Sequence, residues 1–206
     1  MLRIWGRTNS INVQKVMWAV GEVGRPHERI DVGGAFGGLD SAEYRALNAN
    51  GRIPTIEDDG VVVWESNACV RYLAARYSAD GLWPEDPVAR AGADMWMDWQ
   101  QTTLLTDMTT VFWGLVRTPE AERDHVAIEA AAGRLGGLWR RLDNHLAGRR
   151  YVAGDHFTMG DIPVGAACYR YYQLAIERPK LAAIEAWYGR LQQRKPYRTH
   201  VMLPLT

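Results

Sequence analysis

Along the first 77 residues the spacing of apolar positions keeps changing its period. Leu2 and Ile4 alternate as in a strand, and a polar loop follows through Ser10. Val13, Val16, Met17 and Val20 then recur at i, i+3, i+4 and i+7, marking one face of a helix that Gly24 and Pro26 bring to an end. A short strand is expected around 29–32, then a Gly-rich stretch at 33–38. A short helix capped by Asp40 or Ser41 follows, reaching about Leu47. The apolar runs 53–56 and 61–64 flank Glu57-Asp58-Asp59-Gly60, and two such runs around Asp-Gly predict a hairpin. Ser66 opens a helix with Val70, Leu73, Ala74 and Tyr77 on one face. The order β-α-β-α-β-β-α predicts a mixed sheet with helices on both sides.

From residue 88 onward every periodic stretch is helical. The segment 78–87, with Pro84 and Pro87, reads as a linker. One helix is expected over 88–116. A second opens at Thr118-Pro119-Glu120, with a hydroxyl cap, proline in the first turn and a core face of Leu135, Leu138, Trp139, Leu142 and Leu146. A third opens where Thr158 and Asp161 form a capping box and Phe157 can staple onto Ile162. A fourth carries Leu181, Ile184, Trp187, Tyr188 and Leu191, and ends at Lys195-Pro196. The expected organisation is an α/β domain over 1–80, a linker over 81–87 and an all-helical domain over 88–206.

Composition narrows the function classes. Basic and acidic residues balance at 24 each among 206 residues, which argues against a nucleic-acid binder. No apolar run approaches the roughly 20 residues that span a bilayer, so no membrane association is expected, and the opening Met1–Gly6 run is too short for a signal peptide. The two cysteines, Cys69 and Cys168, stand far apart, as suits a reducing, cytoplasmic setting. The five histidines show no metal-ligand spacing, so no metal is expected. The Gly-rich stretch lacks a following Gly-Lys-Ser/Thr, so it is not a phosphate loop.

Three places in the first half carry chemistry. The turn Arg7-Thr8-Asn9-Ser10-Ile11-Asn12 precedes a helix start, whose unpaired N–H groups favour a thiolate or carboxylate; a hydroxyl there can donate to a thiolate or simply cap the helix. At Ile53-Pro54 a cis bond would turn the Ile53 backbone outward, to pair with an extended peptide ligand; an ordinary turn proline is the plain alternative. At Glu65-Ser66 a hydroxyl and a helix start suit a carboxylate while Glu65 suits an ammonium, and a γ-glutamyl group carries both; a routine helix start is the plain alternative.

Taken together, these stretches resemble the cytosolic glutathione S-transferase family. NANGRIPTIEDDG at 48–60 and WESNACVRYLAARY at 64–77 resemble its glutathione site, and FTMGDIPVGAA at 157–167 resembles the capping motif of its helical domain. GRTNSINVQKV at 6–16 resembles the Ser/Thr active-site loop of the bacterial theta- and nu-like branches. The resemblance runs over essentially the whole chain. It implies a thioredoxin-like first domain, a helical second domain, glutathione as co-substrate, and a homodimer acting on a small hydrophobic electrophile or a disulfide. It implies Ser10 at the glutathione sulfur with Asn12 assisting or replacing it, and leaves Thr8 as a competing hydroxyl. It also implies Ile53, before a cis Pro54, on the cysteinyl part, Glu65 and Ser66 on the γ-glutamyl end, and Arg52 on the glycyl carboxylate. The loop around Phe36 is expected near that last end. No Tyr or Cys stands near Ser10, which sets aside tyrosine- and cysteine-type classes. Trp96, Trp99, Met108, Phe112, Trp113 and Arg117 are candidates for a second-substrate pocket between the halves, and Gln100 for reaching a partner's glutathione. Alternatives kept open are a nu-like disulfide reductase or lyase, and a non-catalytic binding or regulatory module.

Overall fold

A computed structural model of the chain describes residues 1–78 and 81–206. Its strands are β1 (Leu2–Trp5), β2 (His27–Ile30), β3 (Thr55–Asp58) and β4 (Val61–Trp64), in the spatial order β2-β1-β3-β4. β1 pairs parallel with β2 and antiparallel with β3, and β3 pairs antiparallel with β4. β2 lies two residues earlier than its apolar pattern suggested, because its register on β1 runs from Leu2↔His27 to Trp5↔Ile30. β3 starts after Pro54, whose ring nitrogen has no hydrogen to give the ladder. The helices α1 (Ile11–Val23) and α3 (Ser66–Tyr77) pack on each other, and α2 (Ala42–Leu47) is capped by Ser41, whose hydroxyl accepts the Tyr44 N–H at 3.1 Å. Every residue from Val13 to Val20 is buried, so α1 is enclosed on all sides.

The chain divides into two compact units, Met1–Trp83 with Lys195–Leu203, and Pro84–Arg194 with Pro204–Thr206. The expected end of the first domain, at Asp80, lies outside the described residues. The first unit contains a helix that was not expected, α9 (Lys195–His200), which packs on α1 with the rings of Trp18 and Tyr197 4.5 Å apart. Pro196 does not end the preceding helix; it sits in the first turn of α9, where a missing N–H costs nothing.

In the second unit α4 (Pro87–Trp99) starts on Asp86, whose carboxylate accepts the Ala89 N–H at 2.8 Å. A π-helical turn at Gln100–Leu104 joins it to α5 (Leu105–Phe112), and a second π turn follows at Trp113–Arg117. The helix expected over 88–116 is thus one rod with two widened turns; in the first, the Thr102 hydroxyl bonds the Asp98 carbonyl and competes with the ladder. The helix expected from Thr118 starts later. Glu120–Glu122 forms a single 3₁₀ turn, and α6 (His125–Leu146) is capped by Asp124, which accepts the Ala127 N–H at 2.9 Å. The cause is Arg123, whose guanidinium bonds the Leu115 and Thr118 carbonyls at 2.9 and 3.2 Å and holds the connection as a loop.

α7 (Asp161–Gln173) and α8 (Ala182–Gln192) complete this unit, around a core that includes Leu135, Trp139, Tyr171, Ile184 and Trp187. The fully buried Asp161 carboxylate accepts from Val152 N–H at 3.0 Å, Thr158 N–H at 2.9 Å and Trp187 Nε1 at 2.9 Å. Half of the expected capping box is present as drawn. The Thr158 hydroxyl accepts the N–H of Gly160, at 3.3 Å, instead of that of Asp161. Phe157 rests against Tyr151, with the Arg194 guanidinium 3.8 Å above its ring. Among the described residues no helix is long and apolar enough to cross a membrane.

Candidate active site

Sheet register gathers the three segments singled out above. Trp5 pairs with Thr55, and Thr55 pairs on its other side with Trp64. One residue further along each strand, Gly6, Pro54 and Glu65 come level at the same end of the sheet. Gly6 has φ of 149° and no room for a side chain, because a Cβ would stand 2.4 Å from Val13 Cγ2 and 3.3 Å from Ile53 Cβ. Its bareness lets the loop that leads to α1 lie directly on Ile53.

Ser10 is the residue before α1, with extended backbone; its carbonyl accepts the Gln14 N–H at 2.9 Å. Its hydroxyl takes no N–H of the first turn, so the plain capping role is unfilled. Thr8 is exposed, and its carbonyl accepts from the Gln14 side chain at 3.1 Å. Asn12 is half-buried and accepts a hydrogen bond from the Ser66 hydroxyl at 3.3 Å, which ties the start of α1 to the start of α3. Neither α1 nor α3 has an acidic residue in its first turn, so nothing in those turns neutralises the positive helix ends.

Glu65 precedes α3 with φ of 66° and ψ of 116°, a conformation costing a non-glycine residue about 1–3 kcal/mol. Its side chain is exposed and caps nothing, while Ser66 is buried. The Ile53–Pro54 bond is cis, Pro54 is buried, Ile53 is half-buried and Arg52 is exposed. The Gly-rich loop packs close by: a Cβ on Gly34 would meet Arg7 Nε at 2.9 Å, while Phe36 is 60% exposed.

Sequence reading missed a second layer beneath these groups. Tyr44, Asn48 and Thr55 are buried and meet at the Arg52 carbonyl, which accepts from Tyr44 Oη at 2.7 Å and Asn48 Nδ2 at 2.9 Å. Lys15 is 1% exposed, with Nζ 3.5 Å from Oδ1 of the buried Asn67. Lys15 carried one usable signal, a charge lying in the run of buried residues along α1. Tyr44 carried none, being one tyrosine on a short helix.

This end of the sheet offers two helix N-termini, a free hydroxyl, an outward carboxylate and a guanidinium. Such a set suits an extended, doubly anionic peptide with an ammonium and a thiol. Neither cysteine competes as a nucleophile: both are buried, burial pushes both thiols well up, and Cys69 donates to the Val63 carbonyl at 3.4 Å. Among the described residues no group of three His, Cys, Asp or Glu could hold a metal ion.

The aromatic stripe of the second unit divides. Met108 and Phe112 are buried, and Trp96 and Trp99 join a chain of rings through His145 and Trp139. Trp113 is 53% exposed, with Arg117 lying 5.0 Å above its ring. A groove of about 800 Å³ in this unit is lined by none of the six, running instead along Leu115, Ile128, Gly133, Arg140 and Pro179. Gln100 is 1% exposed in the chain and does not project as the sequence suggested.

Comparison with known proteins is consistent along the whole length. The profile of the glutathione S-transferase N-terminal domain matches residues 9–76, and that of the glutathione S-transferase C-terminal domain matches residues 104–195. The chain is 39% identical to glutathione S-transferase GstB of Escherichia coli (strain K12), covering 100% of both. It is 29% identical to glutathione S-transferase theta-1 of Rattus norvegicus, over 74% of this chain and 66% of that one. Among solved structures, the theta class glutathione S-transferase from the citrus canker pathogen Xanthomonas axonopodis pv. citri, with glutathione bound, superposes with a TM-score of 0.96. It shares 51% identity and covers 100% of this chain and 99% of its own.

Proposed function

The chain belongs to the glutathione S-transferase family and is a glutathione transferase with glutathione as its co-substrate; we propose that it activates the glutathione thiol for attack on an electrophilic carbon of a small hydrophobic molecule. The observation that carries this reading is the Ser10 hydroxyl, placed at the N-terminus of α1 and making no capping bond. That hydroxyl donates to the sulfur, and the α1 terminus adds its positive end, with the Asn12 amide beside it. A free thiol titrates near 8.5, so only a few per cent is thiolate at pH 7. One donor and a helix terminus together lower that value by about 2, worth roughly 2.7 kcal/mol. The thiol proton goes to solvent, the sulfur forms a new bond to carbon, and the leaving group departs with its electron pair.

The remaining groups orient the ligand. The Ile53 main chain, before cis Pro54, pairs with the cysteinyl part; Ser66 and the α3 terminus take the γ-glutamyl carboxylate; Glu65 takes its ammonium; and Arg52 takes the glycyl carboxylate. On this reading the glutathione-binding domain is 1–80, the linker 81–87 and the helical domain 88–206, with α9 returning to the first unit. The proposed role is detoxification in the cytoplasm, and the proposed assembly is a homodimer; the exposed Val61, Val62 and Trp64 on the edge strand β4 support the dimer, which light scattering tests.

Calorimetric titration of reduced glutathione into wild type and an Arg52→Ala, Glu65→Ala double variant tests the site. Binding to the wild type and its loss in the variant are expected; equal binding by both would refute these assignments. Conjugation of an activated aryl halide, run beside reduction of a mixed glutathione disulfide, separates the transferase reading from the reductase one.

A further inference from the structure

We propose that Tyr44, with Asn48 and Thr55, is a positioning device that aims the Ile53 amide at the cysteinyl part of glutathione without touching the ligand. The inference rests on the reading above that the Ile53 main chain is a ligand contact.

The three side chains are nearly removed from solvent, at 3%, 2% and 0% exposure, and their protons can be placed one by one. A tyrosine hydroxyl has a single hydrogen, and a carbonyl oxygen can only accept. Tyr44 Oη, 2.7 Å from the Arg52 carbonyl, therefore donates there. Thr55 Oγ1 lies 2.9 Å from Tyr44 Oη and must be the donor of that pair. Asn48 Nδ2 gives one hydrogen to the Arg52 carbonyl at 2.9 Å and the other to Thr55 Oγ1 at 3.1 Å. Asn48 Oδ1 in turn accepts the Asn50 N–H at 3.0 Å. Every side-chain hydrogen of the knot is used once, and burial raises the Tyr44 pKa, which keeps its hydroxyl a donor.

Two donors thus hold the Arg52 carbonyl toward the buried side. The Arg52–Ile53 peptide is trans and planar, so its C=O and N–H point in opposite directions. Pinning the carbonyl inward turns the Ile53 N–H away from the knot. Among the described residues that N–H meets no acceptor. It is left as a donor for a strand-like ligand backbone. A rigid donor loses little freedom when the ligand arrives, which is how a group that never touches the ligand can set its affinity.

The test uses the full-length protein and reduced glutathione. Tyr44→Phe keeps the ring and deletes the hub, and glutathione Kd should weaken about ten-fold while the pH at which bound thiol titrates stays put. Thr55→Val should weaken binding, whereas Thr55→Ser, which keeps the hydroxyl, should restore it to within about two-fold of wild type. In amide NMR spectra the Ile53 signal should move strongly on adding glutathione to the wild type and weakly in Tyr44→Phe. If Tyr44→Phe lowers the melting temperature while Kd and the Ile53 shift are unchanged, the knot merely braces the fold and the proposal is overturned. Should Tyr44→Phe not fold, the Thr55→Val and Thr55→Ser pair decides the matter by the same readouts. An Ile53 amide that responds in Tyr44→Phe as strongly as in wild type, with Kd unchanged, overturns this proposal alone, whereas wild type that binds glutathione with a still Ile53 amide, or binds none, overturns the underlying reading as well.

Discussion

Two buried polar hubs, one taken from each unit of the molecule, are built on opposite principles. In the first unit Tyr44 and Asn48 donate to a main-chain carbonyl and Thr55 links the two side chains, and every partner is neutral. In the helical unit three N–H groups, from Val152, Thr158 and Trp187, converge on the Asp161 carboxylate, which is fully buried. A neutral hub removes little hydration and aims a backbone group; its geometry does not change with pH across the physiological range. A buried carboxylate must hold its charge with little help from solvent, so it binds its surroundings strongly and responds to pH. The neutral hub lies beside the proposed ligand contact, and the charged one lies at the start of α7. The difference assigns the Tyr44 hub to binding and the Asp161 hub to stability; the first unit holds a charged cluster of its own, in which the buried Asp58 carboxylate accepts from Tyr72 Oη at 2.9 Å with Arg76 Nε 3.3 Å away.

The largest expected effect breaks the charged hub. Asp161→Ala strands three buried N–H donors, and urea denaturation should show a loss of about 3–5 kcal/mol, several times the loss for Tyr44→Phe. Equal losses for the two variants would erase the contrast.

Next comes pH. Burial raises the Asp161 pKa from 3.8 to about 6, so the folded protein holds this proton more tightly than the unfolded chain. The stabilisation from that proton is fully present below about pH 4 and is lost as pH rises through about 6, an effect of roughly 3 kcal/mol. Denaturation curves across that window should show the slope in wild type and lack it in Asp161→Asn, and a slope surviving the substitution would assign it to other groups.

A smaller effect belongs to the site itself. Ser10→Ala should raise the pH at which bound glutathione loses its thiol proton by about 1 and lower kcat about ten-fold at pH 7, with Kd nearly unchanged. An unmoved thiol titration, followed by thiolate absorbance, would shift the donor role to Thr8 or Asn12.

Smallest in stability, and opposite in sign, is Glu65→Gly. Glycine accepts the φ of 66° without strain, so the variant should gain about 1 kcal/mol of stability while losing ten-fold or more in glutathione affinity. A gain in stability with full affinity would show that the strained residue has no part in binding.

Much of the architecture was legible in the chain because it is local. The spacing of Val13, Val16, Met17 and Val20 identifies α1, the Asp-Gly pair marks the β3–β4 hairpin, and Ser66 opens α3. The motifs around Ser10, Ile53-Pro54 and Glu65-Ser66 were likewise readable, since a hydroxyl or proline at an element's start has a small set of roles. Boundaries failed where a distant group decided them. Arg123 reaches back to Leu115 and delays α6, and Pro196 opens a helix because α1 supplies a surface for α9 to pack on. The convergence of Gly6, Pro54 and Glu65 required the register of three strands, and the Tyr44 knot required α2 to lie against the turn before β3. Hydrophobic periodicity records which face of an element is buried; it says nothing about which buried polar atoms meet, because those pairings are set by long-range register. The amino-acid sequence by itself therefore determined the elements, their order and the candidate ligand contacts, and only the tertiary structure decided which neighbours hold those contacts in place.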